Sequence, residues 1–513
     1  MEHSNAIARI DVYSHHFCIY RFDGYFQDKL RDYCRTIAEY GLIRLPTGKF
    51  VRGMKKVYVG VDKDRTVFRI HINLLDDFLT FMSNRGINEK RFTIIRKRLY
   101  SAHFADLKYV DDRAPRDYQA PIIDYIVDPG KTKVVTLDPG RGKTFIALRA
   151  IHLLRVRAFF CIKAMYLEKW VGDAKQAFDF KKGELLVIRG ADALKSLMNM
   201  AGTEEYNGKI ILCSNTTFLL YLKQYELYKS NVKDLGYRYL PHELLEALDI
   251  GLRVIDEVHQ DFHLNFRQDL YSHVPKTLSL SGTLITKDPF TRRMYDVMFP
   301  PEERCHIVHR VVYLRVSAFL YRIRDADNRV KYTNHQLKAY SHMRFEKSIR
   351  RDKKLLKPYL EMIMELVRTK FIENREDGQK ALIYFTTVEM CTKMTDLLKE
   401  NFSHLKISRY TQEDDYSEML ESDLIVSTLK SLGTAHDIPG LVLAVMTDAL
   451  DSVQGNLQAS GRLREVKDWD ITPEFIYLVC TDINKHMIYH ESKKELFAGR
   501  VLSHDNIFSG YTL

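Results

Sequence analysis

The apolar positions of this chain follow two rhythms that alternate along its length: short unbroken runs, and longer stretches repeating every three to four residues. Lys131 to Leu137, Ile250 to Ile255, Thr277 to Leu280, Lys380 to Phe385 and Asp423 to Thr428 are short apolar runs, the pattern of strands buried on both faces. Phe145 to Leu154 and Val388 to Glu400 repeat at helical spacing. Strands alternating with helices predict an α/β fold with parallel sheets. Before residue 113 the pattern changes. Ala8 to Tyr13 and Phe17 to Phe22 read as paired strands, and Gly24 to Tyr40 as an amphipathic helix. Lys56 to Val61 and Thr66 to Ile72 read as a hairpin across the turn Asp62 to Arg65, and Asn73 to Arg85 as a second helix. These elements predict a small α+β module over residues 1–112, joined to the rest near Asp111 to Pro115.

The junction between the run ending at Leu137 and the helix from Phe145 carries the first candidate chemistry, Leu-Asp-Pro-Gly-Arg-Gly-Lys-Thr from Leu137 to Thr144. A strand that feeds a helix through a glycine-rich turn aims successive backbone N–H groups and the helix N-terminus at an anion. Gly140 and Gly142 carry no Cβ, so backbone can approach a phosphate closely, with Asp138, Pro139 and Arg141 completing the loop. Lys143 is then positioned for the β- and γ-phosphates and Thr144 for Mg²⁺. Leu137 stands where the usual P-loop pattern has its first glycine.

Asp256 and Glu257 directly follow the run Ile250 to Ile255. Two neighbouring carboxylates at a strand end suit metal-assisted hydrolysis: Asp256 for the Mg²⁺ shell, Glu257 for polarising the attacking water. His259 has no second histidine at i+4 and the other histidines are scattered, which points to coupling rather than metal ligation. Ser281 and Thr283 flank a glycine after Thr277 to Leu280, and their hydroxyls suit a relay beside the carboxylates. Gln458 to Arg464 supplies Arg462 and Arg464, and an arginine presented from a second lobe can stabilise charge on a transferring phosphoryl group.

In this order the motifs resemble those of superfamily 2 DExH-box helicases, and the layout is similar to phage branch-migration helicases of the UvsW type, with RecG and XPB more distant. The supporting residues run in the same order. Arg116, Tyr118 and Gln119 resemble an adenine-side R-x-Y-Q element. Lys163 and Thr216 occupy the places of strand-contacting motifs, and Thr428 opens another. Gly433 and Asp437 belong to a Gly-x-Asp-Ile-Pro-like element between ATP and nucleic acid. The basic run containing Arg350 and Arg351 opens the second lobe. The family's pattern puts its second arginine three places after the first; Glu465 fills that slot here, so Arg462 and Arg464 both remain candidates for the finger.

The resemblance implies two tandem RecA-like parallel-sheet domains after the N-terminal α+β domain. It places the first over residues 113–305, a linker region over 306–332, the second over 333–487 and a tail over 488–513. It implies ATP and Mg²⁺ as ligands, a monomeric motor, and DNA as partner, whether single-stranded, forked or branched, with possible links to replication or recombination proteins. RNA as partner, a duplex translocase that separates no strands, and a non-catalytic nucleic-acid scaffold stay open as alternatives.

Composition changes this picture little. The chain has 513 residues, a net charge of +11 and seven dispersed cysteines without a C-x-x-C pair, which speaks against a zinc ribbon or disulfide framework and for a reducing cytoplasm. Where the basic residues cluster matters more than the total. Arg44 to Lys56, Arg91 to Arg98 and Lys347 to Lys357 are the candidate phosphate contacts, with Arg52, Lys55 and Lys56 singled out in the N-terminal module. No apolar run approaches the roughly 20 residues a membrane span needs.

Overall fold

A computed structural model describes residues 6–46, 49–138, 140–286, 288–307, 312–334, 339–411, 414–432, 438–466 and 468–513. The chain divides into two compact units, residues 1–137 with 141–309, and residues 310–513 with 138–140.

The first unit is built on a six-stranded sheet in the order Leu185–Ile188, Ile210–Ser214, Arg157–Ile162, Ile250–Ile255, Lys276–Ser281, Thr132–Thr136. Every pairing is parallel. Parallel neighbours need crossovers, which the helices Lys143–Leu154, Leu167–Ala177 and Asn215–Tyr228 supply. Because the strands all run one way, their C-terminal ends share one edge, where sheets of this kind bind ligands. The order also explains how distant motifs meet: the strands ending before Leu137, at Ser281 and before Asp256 are consecutive neighbours.

The N-terminal residues of this unit form a second, five-stranded sheet in the order Gly60–Val61, Val67–His71, His16–Tyr20, Ala8–Val12, Phe92–Arg96. It shares one apolar core with the larger sheet. Polar contacts cross the same seam. Ser14 N–H donates to His273 Nδ1 (3.1 Å), His15 Nε2 meets Thr277 Oγ1 (2.9 Å) and Lys63 N–H donates to Glu226 O (2.9 Å). At its centre Arg253, fully buried in the strand Ile250–Ile255, is paired with Asp269, which also lies 3.5 Å from His71 Nε2. A buried ion pair is tolerated only where its geometry offsets the loss of hydration, so this network fixes how the two sheets register.

Two local departures from the sequence pattern have clear causes. The helix from Gly24 ends at Thr36, where the Thr36 hydroxyl donates back to Tyr33 O at 2.7 Å. β-Branched Thr36 and Ile37 and the two-residue alternation Glu39-Tyr40-Gly41-Leu42 then favour a strand. Ala38–Arg44 pairs with Phe50–Val57 as a two-stranded antiparallel hairpin outside the five-stranded sheet. In the basic stretch Arg91 to Arg98, Phe92–Arg96 is a strand parallel to Ala8–Val12, and Lys97 pairs with Asp11 at 2.8 Å.

The second unit is a seven-stranded parallel sheet in the order Ile407–Tyr410, Leu424–Thr428, Lys380–Phe385, Leu441–Met446, Glu474–Cys480, Arg315–Arg322, Ser503–Thr512. Two strands come from segments outside the motifs, Arg315–Arg322 before them and Ser503–Thr512 at the end, after the helix Asn484–Phe497.

Candidate nucleotide site

The strand Thr132–Thr136 runs into the loop that precedes the helix Lys143–Leu154. Gly140 and Gly142 both adopt left-handed backbone, φ +79° and +80°, which a residue with a Cβ resists. Gly142 is the helix N-cap and no side chain caps that end, so the first-turn N–H groups and the positive end of the helix dipole are directed at the loop. Gln119 closes the loop from the side, its Nε2 donating to Arg141 O at 3.1 Å, while Tyr118 OH donates to the same oxygen at 3.2 Å. Arg116 N–H donates to Gln119 Oε1 (3.0 Å), which holds the amide in that orientation. A Cβ on Gly142 would come within 2.5 Å of Gln119 Nε2. Gly142→Ala therefore meets both a strained left-handed φ and this clash, and we expect it to weaken ATP binding by about tenfold or more, equivalent to roughly 1.4 kcal/mol, measured by titration with a fluorescent ATP analogue.

Lys143 stands in the first turn of that helix. Its Nζ donates to Leu137 O at 3.1 Å and lies 3.3 Å from Glu257 Oε1. Gly282 sits over this pair, 3.9 Å from Lys143 Nζ and 4.0 Å from Glu257 Oε2 measured from where its Cβ would be, and its N–H donates to the Glu257 carboxylate. Glu257 has φ +47°, a costly conformation for a residue with a side chain and one that collects at functional sites. Asp256 accepts from Trp170 Nε1 (2.8 Å) and from the Glu257 N–H (2.9 Å).

The two carboxyls are pulled in opposite directions. Burial and the adjacent Glu257 carboxylate push Asp256 up to about 6. Burial also opposes ionisation of Glu257, but Lys143 and then His259 outweigh it and hold Glu257 below the ordinary glutamate value. His259 is pushed down to about 4, chiefly by burial, and is neutral near pH 7. Its Nδ1 meets Ser281 Oγ at 2.7 Å. The Ser281 hydroxyl donates to Thr283 O at 2.8 Å, so the Nδ1–H of His259 is the donor to Ser281. Ser281, Thr283, His259 and Glu257 are thus linked at the ends of two adjacent strands.

This donor set fits a nucleoside triphosphate with Mg²⁺. A backbone cradle with an ammonium matches the phosphates, and Mg²⁺ is held by few protein oxygens and completes its shell with phosphate and water. Thr144, half-buried beside Lys143, and Asp256 would hold the ion, which would neutralise charge between the phosphates. Glu257 would orient water.

In the second unit Gln458 is half-buried on the helix Val453–Ser460, just before both arginines. Arg462 is 4% exposed; its Nη2 donates to Leu432 O at 3.3 Å and its guanidinium contacts the Tyr384 hydroxyl. Arg464 is half-buried, with Nη1 donating to Gly461 O. Thr428 lies at a strand end with its hydroxyl 2.7 Å from Ser431 Oγ. Arg350 pairs with Glu389 at 3.0 Å, and Arg351 is exposed one residue on. Gly433 and Asp437 lie outside the described residues, as does Pro139; Asp138 is half-buried.

Of the other predicted residues, Lys163 pairs with Asp261 Oδ2 at 2.8 Å and Thr216 is exposed at the start of the helix Asn215–Tyr228. Both follow strands of the first sheet. Arg52, Lys55 and Lys56 lie on the hairpin, and the two lysines share Glu39. Trp170 escapes sequence reasoning: a lone tryptophan at helical spacing reads as core, and nothing in the spacing sets its Nε1 on Asp256.

No family profile and no curated protein sequence matches this chain. Among solved structures it is similar to a variant of S. cerevisiae Dbp5 bound to RNA and ADP BeF3, at 13% identity over 78% of this chain and 91% of that one, with TM-score 0.50. It is also similar to the Pyrococcus furiosus Hef helicase domain, at 12% identity over 74% of this chain and 98% of that one, with TM-score 0.46. With the sheet orders above, the likeness to Dbp5 shows the fold: the chain contains two tandem RecA-like α/β domains of the kind found in helicases.

Proposed function

We propose that this chain is an ATP-driven nucleic-acid motor of superfamily 2, a helicase or translocase acting on branched or duplex DNA in the manner of the UvsW type. The observation that carries it is the arrangement at the end of one sheet: an uncapped helix N-terminus, Lys143 on Glu257, and Asp256 beside them. An inert scaffold has no need of a strained, ion-paired glutamate next to an anion cradle. Lys143 and Thr144 bind the phosphates and Mg²⁺, Asp256 holds the ion and Glu257 prepares the water. His259, Ser281 and Thr283 carry the state of the site to the strand ends where Lys163 and Thr216 stand. The motor works in a cytoplasm and as a monomer. Residues 1–112 are the DNA-gripping module, and the second motor domain takes in the segments expected as linker and tail, since Arg315–Arg322 and Ser503–Thr512 are strands of its sheet.

The finger is Arg464. Arg462 is already committed inside its own unit to Leu432 O and the Tyr384 hydroxyl, where it acts as a packing group. We expect Arg464→Ala to lower kcat by about 10³-fold with little change in thermal stability. Arg462→Ala should instead cost about 1–3 kcal/mol of stability by stripping buried hydrogen-bond partners. Equal, mild losses of turnover in both variants would remove the assignment. The function itself is tested by ATPase rates with single-stranded, duplex, forked and four-way DNA and with matched RNA. Absence of stimulation by any of them rejects a motor, and stimulation by RNA alone rejects the DNA reading.

A further inference from the structure

The hairpin Ala38–Arg44/Phe50–Val57 has an unusual surface for a strand pair that, among the described residues, joins no larger sheet. Its two faces differ. On one, Ile43 folds over Gly53, where a Cβ would come within 2.8 Å of Ile43 Cδ1, and the Lys55 stem lies over Gly41 at 3.3 Å. The hairpin covers part of that face with its own chain, although Val51, paired with Ile43 there, is 41% exposed. The register pairs Tyr40 with Met54 and Leu42 with Arg52, so these four side chains share the opposite face. There Tyr40 is 54%, Met54 50% and Leu42 48% exposed, and Arg52 is exposed beside them. An aromatic ring, a thioether, an aliphatic chain and a guanidinium in one row make a platform for flat, π-faced groups. Arg52, Lys55 and Lys56 stand on the second strand and Lys49 just before it, against Glu39 as the only acid between residues 38 and 57, which pairs with Lys55 at 3.1 Å and Lys56 at 3.2 Å. That charge selects a polyanion as the occupant.

The root of the hairpin is rigid. Ile37 O accepts from Tyr58 N–H at 3.2 Å, and Val57 O is bonded to His263 Nε2 at 2.8 Å. Tyr58 is 1% exposed and packs against Phe266 and Phe262, with ring centroids 4.9 and 6.0 Å away. Both phenylalanines belong to the helix Phe262–Asp269, which begins three residues after His259. The platform is therefore braced on the segment that leaves the candidate nucleotide site.

We infer that the Tyr40–Leu42–Met54–Arg52 face of this hairpin receives unpaired nucleobases at a junction, and acts as the element that keeps separated strands apart while its lysines hold the phosphates. Stacking of bases on such a surface tolerates any sequence. The inference rests on the nucleic-acid reading proposed above and adds the contact that tells a fork from a plain duplex.

The test uses the full chain carrying Tyr40→Ser, Leu42→Ser and Met54→Ser together, all at exposed positions. Binding is measured to a forked DNA with unpaired arms, a blunt duplex of equal length, and a fork with RNA arms. A 5-iodouracil in one unpaired arm reports photo-crosslinking to the hairpin. We expect the triple variant to lose about tenfold in fork affinity and its strand separation, with blunt-duplex affinity and strand-stimulated ATPase retained. A Lys55→Gln/Lys56→Gln variant should lose affinity for fork and duplex alike. Unchanged fork binding and strand separation, or equal loss on fork and duplex in the triple variant, overturns the inference. So does a wild-type dimer that the triple variant turns into a monomer, since the face is then a protein contact. If wild-type ATPase responds to no nucleic acid, the motor reading fails, while an iodouracil crosslink to the hairpin still supports base contact and its absence rejects it.

Discussion

Glu257→Gln should lower nucleic-acid-stimulated ATP turnover by about 10²–10⁴-fold, the range expected when a positioned base is lost, and leave ATP binding and thermal stability close to wild type. The substitution keeps the shape of the side chain and removes its charge. Lys143 retains its bond to Leu137 O, so the phosphate cradle survives while the group that polarises water does not. Lys143→Ala should be at least as damaging for a compound reason. Lys143 is the main influence that keeps the buried Glu257 carboxyl ionised against burial. Removing the ammonium strips a phosphate contact and also lets burial raise the Glu257 carboxyl, so the base is held less firmly in its ionised form. The two variants then differ in a measurable way. Residual turnover in Lys143→Ala should climb with pH as Glu257 ionises, whereas in Glu257→Gln it should not follow that rise. Near-wild-type turnover in either purified variant would remove the hydrolytic assignment.

The coupling between these groups marks how far sequence alone reaches. The phosphate loop, the carboxylates and Ser281 are legible because each sits where an apolar run stops, and parallel strands bring such stops to one edge. Gln119 is legible through its place ahead of the loop. Trp170 is not, because its role depends on the direction of one N–H bond, and apolar periodicity carries no such information. The strand Ser503–Thr512 is hidden for a different reason. It lies at the edge of its sheet, its burial pattern is mixed and Phe508 is 81% exposed, so the apolar run that betrays a central strand is missing. The hairpin at residues 38–57 is masked by the helix before it, since Tyr40 fits the helical spacing as well as the alternating one. Arg462 and Arg464 look equivalent in sequence; depth separates them, since Arg462 is 4% exposed and bonded to Leu432 O while Arg464 is half-buried on Gly461 O.

Acid should unfold the first unit well above the range in which carboxylates titrate, because several of its histidines are buried neutral. Burial pushes His15 down to about 3, and His242 and His259 to about 4. His16 is likewise held well below its ordinary value by burial, then by Arg69. Each is hydrogen-bonded or packed in the neutral form: His15 between Ser14 Oγ (2.8 Å) and Thr277 Oγ1 (2.9 Å), His16 on Ser272 O (3.1 Å). Because the folded values lie below the unfolded value of about 6.5, the unfolded chain binds more protons as pH falls. The stabilisation is therefore complete above about pH 6.5 and declines from there towards the folded values. A histidine moved from about 6.5 to 3 or 4 costs about 2 kcal/mol at pH 5. His15, His242 and His259 together approach about 6 kcal/mol, a large share of the 5–15 kcal/mol that holds a typical fold together. Thermal unfolding followed by circular dichroism should show Tm falling steeply between about pH 6.5 and 5. His15→Gln, whose amide can still reach Thr277, should be less stable at neutral pH but flatten the slope by up to about 1.4 kcal/mol per pH unit. These residues join the two sheets, since His15 lies in the turn before and His16 at the start of the N-terminal strand His16–Tyr20, while Thr277 is in the larger sheet's strand Lys276–Ser281 and Ser272 just before it. The same transition should therefore release both sheets at once. A Tm that stays flat to pH 5, or a His15→Gln profile parallel to wild type, would show that these imidazoles are protonated in the fold.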